Sequence, residues 1–150
     1  MRLVFLDAGP LGLLSSPRGK LLADQCWQWT RDLFASGARV IVPEIADYEV
    51  RRELLRLRAT AGLQRLDQVK ATFDFVPITS GVMIRAAELW ATSRRTGRPT
   101  SAPDALDGDC ILAALAQLAV NPGDIMTVAT SNLGHLGQFV DAVPWDKLTP

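Results

Sequence analysis

The chain has 150 residues, 48% of them hydrophobic and 21% charged, a size and balance that support one domain with its own core and exclude a disordered or low-complexity chain. Its 16 basic and 16 acidic residues leave a formal net charge of zero, so nucleic-acid binding would have to rest on a local patch rather than on a globally basic surface. Cys26 and Cys110 have no neighbouring thiol and no metal-type spacing, which predicts reduced core residues. No apolar run approaches the ~20 residues of a bilayer crossing, and the N-terminus MRLVFLDAGP lacks the apolar stretch of a signal peptide. The expectation is a single cytoplasmic domain over residues 1–150.

Leu3 to Leu6 is a short apolar run that ends at Asp7 and is broken by Gly9-Pro10, which predicts a buried strand followed by a turn. From Leu21 to Phe34, Leu22, Cys26, Trp29 and Leu33 recur at helical spacing, with Gly37 as the stop. Arg39 to Val42 is a second strand closed by Pro43, and Ile45, Tyr48, Leu54, Leu55 and Leu57 then fit a charged amphipathic helix. A further helix is expected from about Gly62 to Phe73. After it come the short apolar segment Phe75 to Ile78 and a helix from about Gly81 to Arg95. The break RRTGRPTSAPDALDGD leads into the apolar helix CILAALAQLAV. Met126 to Ala129 is a third clear strand, and a Gly-rich turn then precedes the closing apolar pair Phe139-Val140. Strands alternating with helices predict parallel βαβ units in a sheet covered on both faces.

In such a sheet, chemistry sits beyond the carboxyl ends of the strands. Asp7 stands at one such end, where its carboxylate serves equally well as a turn cap or as a functional acid. The segment VPEIADYEVRREL carries Glu44, Asp47, Glu49 and Glu53, most of which read as a solvated face pairing with Arg51, Arg52 and Arg56. Asp104, Asp107 and Asp109 crowd the start of the apolar helix. One or two acids there suit the helix dipole, but three repel one another, and a hard divalent cation is the simplest compensation. Thr130, Ser131 and Asn132 follow the third strand at the same rim, where they can orient a carboxylate or a metal-bound water. His135, the one histidine, reads as a local packing or capping residue. Zinc ligand pairs, a phosphate-binding Gly-rich loop and GxSxG are all absent.

Four pieces in order, FLDAGPL, PEIADYEVRREL, LDGDCILAALA and VATSN, together look like the PIN domain and in particular resemble the VapC-type ribonuclease toxins, over nearly the whole chain. The resemblance implies a three-layer α/β/α sandwich around a parallel sheet of about five strands. It implies Asp7, Glu49 and Asp109 as the catalytic acids, and Asp7 and Asp109 with Asp107 as an extra ligand for Mg²⁺ or Mn²⁺. Thr130 and Asn132 would brace the site. The sequence departs from the family in carrying Asn132 where a fourth acid often stands, a charge that Asp107 or Asp104 would replace, and Ala8-Gly9 where hydroxyl residues are common. The implied activity is metal-dependent cleavage of RNA phosphodiesters, with a possible small antitoxin as protein partner. Arg51, Arg52, Arg94 and Arg95, with Arg56, Arg58 and Arg98 nearby, would supply the basic rim for RNA.

Two other acidic α/β classes fit less well. A response-regulator receiver needs paired acids at strand one, but Leu6 precedes Asp7; a haloacid-dehalogenase-type phosphatase needs a second Asp two residues on, where Gly9 stands. The stronger alternative is a PIN-like module that binds RNA or protein with little catalysis, which Asn132 favours. A homodimer is expected, because the helix bearing Trp27 and Trp29 and the segment from Gly62 to Phe75 offer more apolar surface than one sheet face requires.

Overall fold

The computed structural model describes residues 1–96 and 103–150, and the side chains of all of these except residues 103–105. In chain order the elements are β1 (Arg2–Leu6), α1 (Ala8–Leu14), α2 (Leu21–Ala35), β2 (Arg39–Pro43), α3 (Glu44–Arg56), α4 (Thr60–Thr72), β3 (Asp74–Val76), α5 (Ser80–Arg95), α6 (Pro103–Ala119), β4 (Ile125–Thr130) and β5 (Ala142–Pro144). The sheet runs β3-β2-β1-β4-β5 with every neighbouring pair parallel. β1 is the central strand, flanked by β2 and β4, so the crevice at its carboxyl end is where the connections diverge to either side.

Because side chains alternate across a strand, β1 feeds two cores. Val4 and Leu6 point into one cluster with Leu11, Cys26, Leu33, Val50, Leu66 and Trp145, from α1, α2, α3, α4 and the chain end. Leu3 and Phe5 point into the other with Ala86, Leu89, Leu112 and Leu115 of α5 and α6. The result is the PIN-like three-layer α/β/α sandwich. Strand runs buried on both faces, such as LVFL, are continuously apolar for this reason.

Two local expectations are corrected. Residues after Asp7 form a short helix rather than a turn: Asp7 caps α1 through its side chain, and Pro10 falls in the first turn, where its missing N–H costs nothing. The last strand is Ala142–Pro144, because Phe139 and Val140 follow a 3-10 turn and pack against the second core instead of pairing. The aromatic surface invoked for pairing is largely used within one chain. Trp29 packs on Trp145 with centroids 5.7 Å apart and donates from Nε1 to the Leu148 carbonyl, while Trp27 lies 6.1 Å from Phe73.

Candidate active site

β1 delivers Asp7 to the rim, and the last ladder bond runs from the Asp7 N–H to the Ala129 carbonyl of β4. The Asp7 carboxylate has two tasks: Oδ1 accepts from the Ala8 N–H at 2.8 Å, capping α1, and Oδ2 accepts from the Thr130 hydroxyl at 2.7 Å. Thr130 Oγ1 also lies 2.8 Å from the Asn132 carbonyl and accepts from the Asn132 N–H. A hydroxyl has one proton to give, and a carboxylate is the stronger acceptor, so Thr130 braces Asp7 while β4 turns away.

Asp109, in the second turn of α6, is held from the loop after β4: the His135 backbone N–H donates to its Oδ2 at 2.9 Å. The loop is shaped for that bond. Asn132 Oδ1 accepts from the Gly134 N–H at 3.1 Å, and Gly134 takes φ +47°, where a Cβ would sit 2.9 Å from Asp109 Oδ2. The buried His135 ring shares its Nδ1 with Gln138 Nε2, and Gln138 Oε1 accepts from Ser93 of α5. His135 therefore packs, as its sequence context suggests, but its main-chain N–H also positions an acid. Only Gly134, a turn residue just before it, hinted at this in the sequence.

Glu49 reaches the same rim from α3. It leans against the α6 backbone, where a Cβ on Gly108 would lie 3.0 Å from Glu49 Oε1, and it accepts no hydrogen bond among the described residues. Burial, then the charge of Asp7, raise the Glu49 carboxyl above its ordinary pKa, with Asp109 adding to the rise and Arg52 pulling the other way. Burial raises Asp109 as well; the His135 N–H opposes this and Asp7 adds to it. Asp7, Glu49 and Asp109, distant in sequence, thus share one field. Burial and like charge both disfavour the ionised form, so the three acids raise one another's cost of ionisation at this rim.

Other candidates fall elsewhere. Asp107 is two residues, about 200° of helix rotation, from Asp109, and it lines a groove with Met83, Ala86, Trp90, Cys110 and Ile111 rather than joining the acids. Asp107 thus faces α5, on a different side of α6 from Asp109. Arg98 and the side chain of Asp104 lie outside the described residues. The Asn132 side-chain oxygen forms the turn instead of pointing at Asp7. Arg51 is bound to Asp47 by two nitrogens and to Asp67 at 2.7 Å, so it ties α3 to α4 and is not free for phosphate. Arg56 pairs with Glu53, and Arg56 and Arg58 sit roughly 10 Å or more along the helix axis from Glu49. Glu44 accepts from the Ile78 N–H. Arg52, Arg94 and Arg95 remain exposed, and α5 ends at the rim, where Ser93 meets Gln138.

Among the described residues, no group of three or more acidic, histidine or cysteine side chains is already drawn together tightly enough to hold a metal ion. The donor chemistry nonetheless suits a hard divalent cation: all three groups are carboxylates, mutually repelling, and Glu49 accepts no hydrogen bond among the described residues. No helix among the described residues is long and apolar enough to cross a membrane.

The class that this sheet order and rim define is met again in solved structures. The chain superposes on a chain of VapBC2 from Rickettsia felis, a complex solved bound to a DNA fragment from its promoter, with a TM-score of 0.68, 11% identity, and coverage of 95% of this chain and 98% of that one. It also superposes on a chain of VapBC-1 from nontypeable Haemophilus influenzae with a TM-score of 0.58, 15% identity, and coverage of 97% and 99%. At these identities the likeness is one of fold. No protein-family model matches the chain, and no curated protein matches it in sequence.

Proposed function

We propose that this chain is a divalent-metal-dependent endoribonuclease, the toxin of a toxin–antitoxin pair. The observation that carries the proposal is the convergence of Asp7, Glu49 and Asp109 from three separate elements, where like charge raises the Glu49 and Asp109 carboxyls and, among the described residues, Arg52 and His135 oppose it. The shared fold with chains of VapBC complexes supports it and favours a small antitoxin as partner.

In this reading Asp7 and Asp109 hold Mg²⁺ or Mn²⁺, each through the carboxylate that Thr130 or the His135 N–H keeps in place. A bound divalent ion supplies Lewis-acid polarisation of the phosphate and a more acidic water at neutral pH. Glu49, with its raised carboxyl and free oxygens, is suited to take a proton from the attacking water. Arg52, Arg94 and Arg95 carry the RNA phosphates.

The decisive experiment incubates metal-freed protein with a pool of single-stranded RNAs, with and without Mn²⁺. Cleavage that requires the metal and disappears in Glu49→Gln supports the proposal. Tight RNA binding with no cleavage supports instead the catalytically weak binding module, the reading that Asn132 and the open spacing of the acids favour.

A further inference from the structure

Most of the aromatic side chains are accounted for by packing: Phe5, Trp29, Phe73 and Trp145 are buried, and Trp27, Phe34 and Phe73 contact one another. Tyr48, the only tyrosine, belongs to neither core. It is 53% exposed on the outer side of α3, whose inner side is Ile45, Ala46, Asp47 and Val50. One turn on, the Arg52 guanidinium lies over its ring, 5.1 Å from the centroid. Of the other cation–ring pairs, Arg18 on Trp27 and Lys70 on Phe75 cover half-buried rings and extend the core, while Arg94 lies 5.2 Å from the centroid of Trp90, whose ring lines the groove with Met83 and Asp107. The Tyr48 pair sits at the rim, and Arg52 lies one turn from Glu49 on the same helix, near enough to act on its charge.

An exposed ring with a guanidinium plane beside it offers two flat surfaces of the kind on which unpaired bases stack, in a position where the cation also meets the backbone. We infer that Tyr48 and Arg52 form a stacking seat for an unpaired RNA base adjoining the phosphodiester presented to Glu49 and Asp109. The inference rests on the nuclease reading above and deepens it. The substrate is single-stranded next to the cut, because a base held in a duplex cannot be turned onto the ring. Tyr48 then acts in specificity and positioning, selecting for an unpaired base of any identity, since every base has a flat face.

The test uses a short single-stranded oligoribonucleotide carrying 2-aminopurine, titrated with full-length Asp109→Asn protein in Mn²⁺ so that binding is read without turnover. Stacking should quench the fluorophore. Adding Tyr48→Ala should abolish the quench and weaken binding by roughly 5- to 150-fold, whereas Tyr48→Trp should preserve both. In protein with Asp109 intact, Tyr48→Ala should raise KM more than it lowers kcat and leave the melting temperature unchanged. A duplex probe should show no quench. If the parent binds and cleaves single-stranded RNA and Tyr48→Ala behaves identically, the seat alone is overturned. If the parent neither binds nor cleaves RNA, the nuclease reading falls and the seat with it.

Discussion

Two acids on one helix, two residues apart, have opposite circumstances. Asp47 is 5% exposed, with Arg51 bound to both its oxygens and Asp67 closing the group from α4. Glu49 is less buried, but it faces Asp7 and Asp109, and its carboxyl is raised. A buried acid with its cation built in holds helices together, whereas Glu49, raised by burial and by Asp7 with Arg52 opposing only in part, has no such built-in pairing.

The contrast is broken most severely through activity. Asp7→Asn, Glu49→Gln and Asp109→Asn should each reduce metal-dependent RNA cleavage by at least about a hundredfold while preserving the fold, since each removes a charge that orients or balances the ion. Circular dichroism beside the cleavage assay checks both halves. On the structural side, Arg51→Ala leaves Asp47 buried without its partner. It should cost about 2–3 kcal/mol, near the low end for a broken buried pair because Arg51 itself is 29% exposed, and lower the melting temperature by about 4–12 °C. Unchanged melting would show that Asp47 gains nothing from the pairing.

A smaller effect is expected at the loop that holds Asp109. Gly134→Ala places a Cβ against Asp109 Oδ2 in a left-handed backbone position. It should lower cleavage roughly 10- to 100-fold, as loss of support behind a ligand does, with a stability loss of about 1 kcal/mol; full activity would remove the His135 N–H from the mechanism. The pH dependence sharpens the contrast further. Glu49 and Asp109 have raised carboxyl values in the folded chain, so the metal-free folded state holds extra protons just above the ordinary carboxylate range. Stability should therefore fall as pH rises through that window, and fall less in Glu49→Gln. Melting curves across mildly acidic to neutral pH without metal would reveal it. The smallest effect concerns the thiols. Burial pushes Cys26 up to about 12 and Cys110 up to about 11, so neither should react with a thiol reagent in the native protein at pH 8, and prompt labelling would contradict their burial.

The periodicity and the order of apolar runs made the layers legible. LVFL and VIV are short and continuously apolar, MTVA nearly so, and each is followed by polar or turn residues, which is the imprint of strands buried on both faces. Asp7, Glu49 and Asp109 were legible as acids at strand ends and helix starts. Their convergence was legible only through the family resemblance, because it depends on how α3 and α6 approach at Gly108, a tertiary fact. Sequence proximity of Asp107 to Asp109 hides the rotation of the helix between them, which turns Asp107 toward α5. Arg51 misled because its partner Asp67 lies on another helix. The short helix α1 was missed because Gly9-Pro10 reads as a breaker unless Asp7 is seen to cap it.

The central claim is that Asp7, Glu49 and Asp109 form a cation site and that their acidic neighbours do not. Calorimetric titration of Mn²⁺ into metal-freed protein tests it most directly, using the parent, Asp109→Asn and Asp107→Asn. The account predicts saturable binding by the parent and by Asp107→Asn, weakened at least about tenfold in Asp109→Asn. No binding by the parent, or binding that survives in Asp109→Asn and is lost in Asp107→Asn, would contradict it.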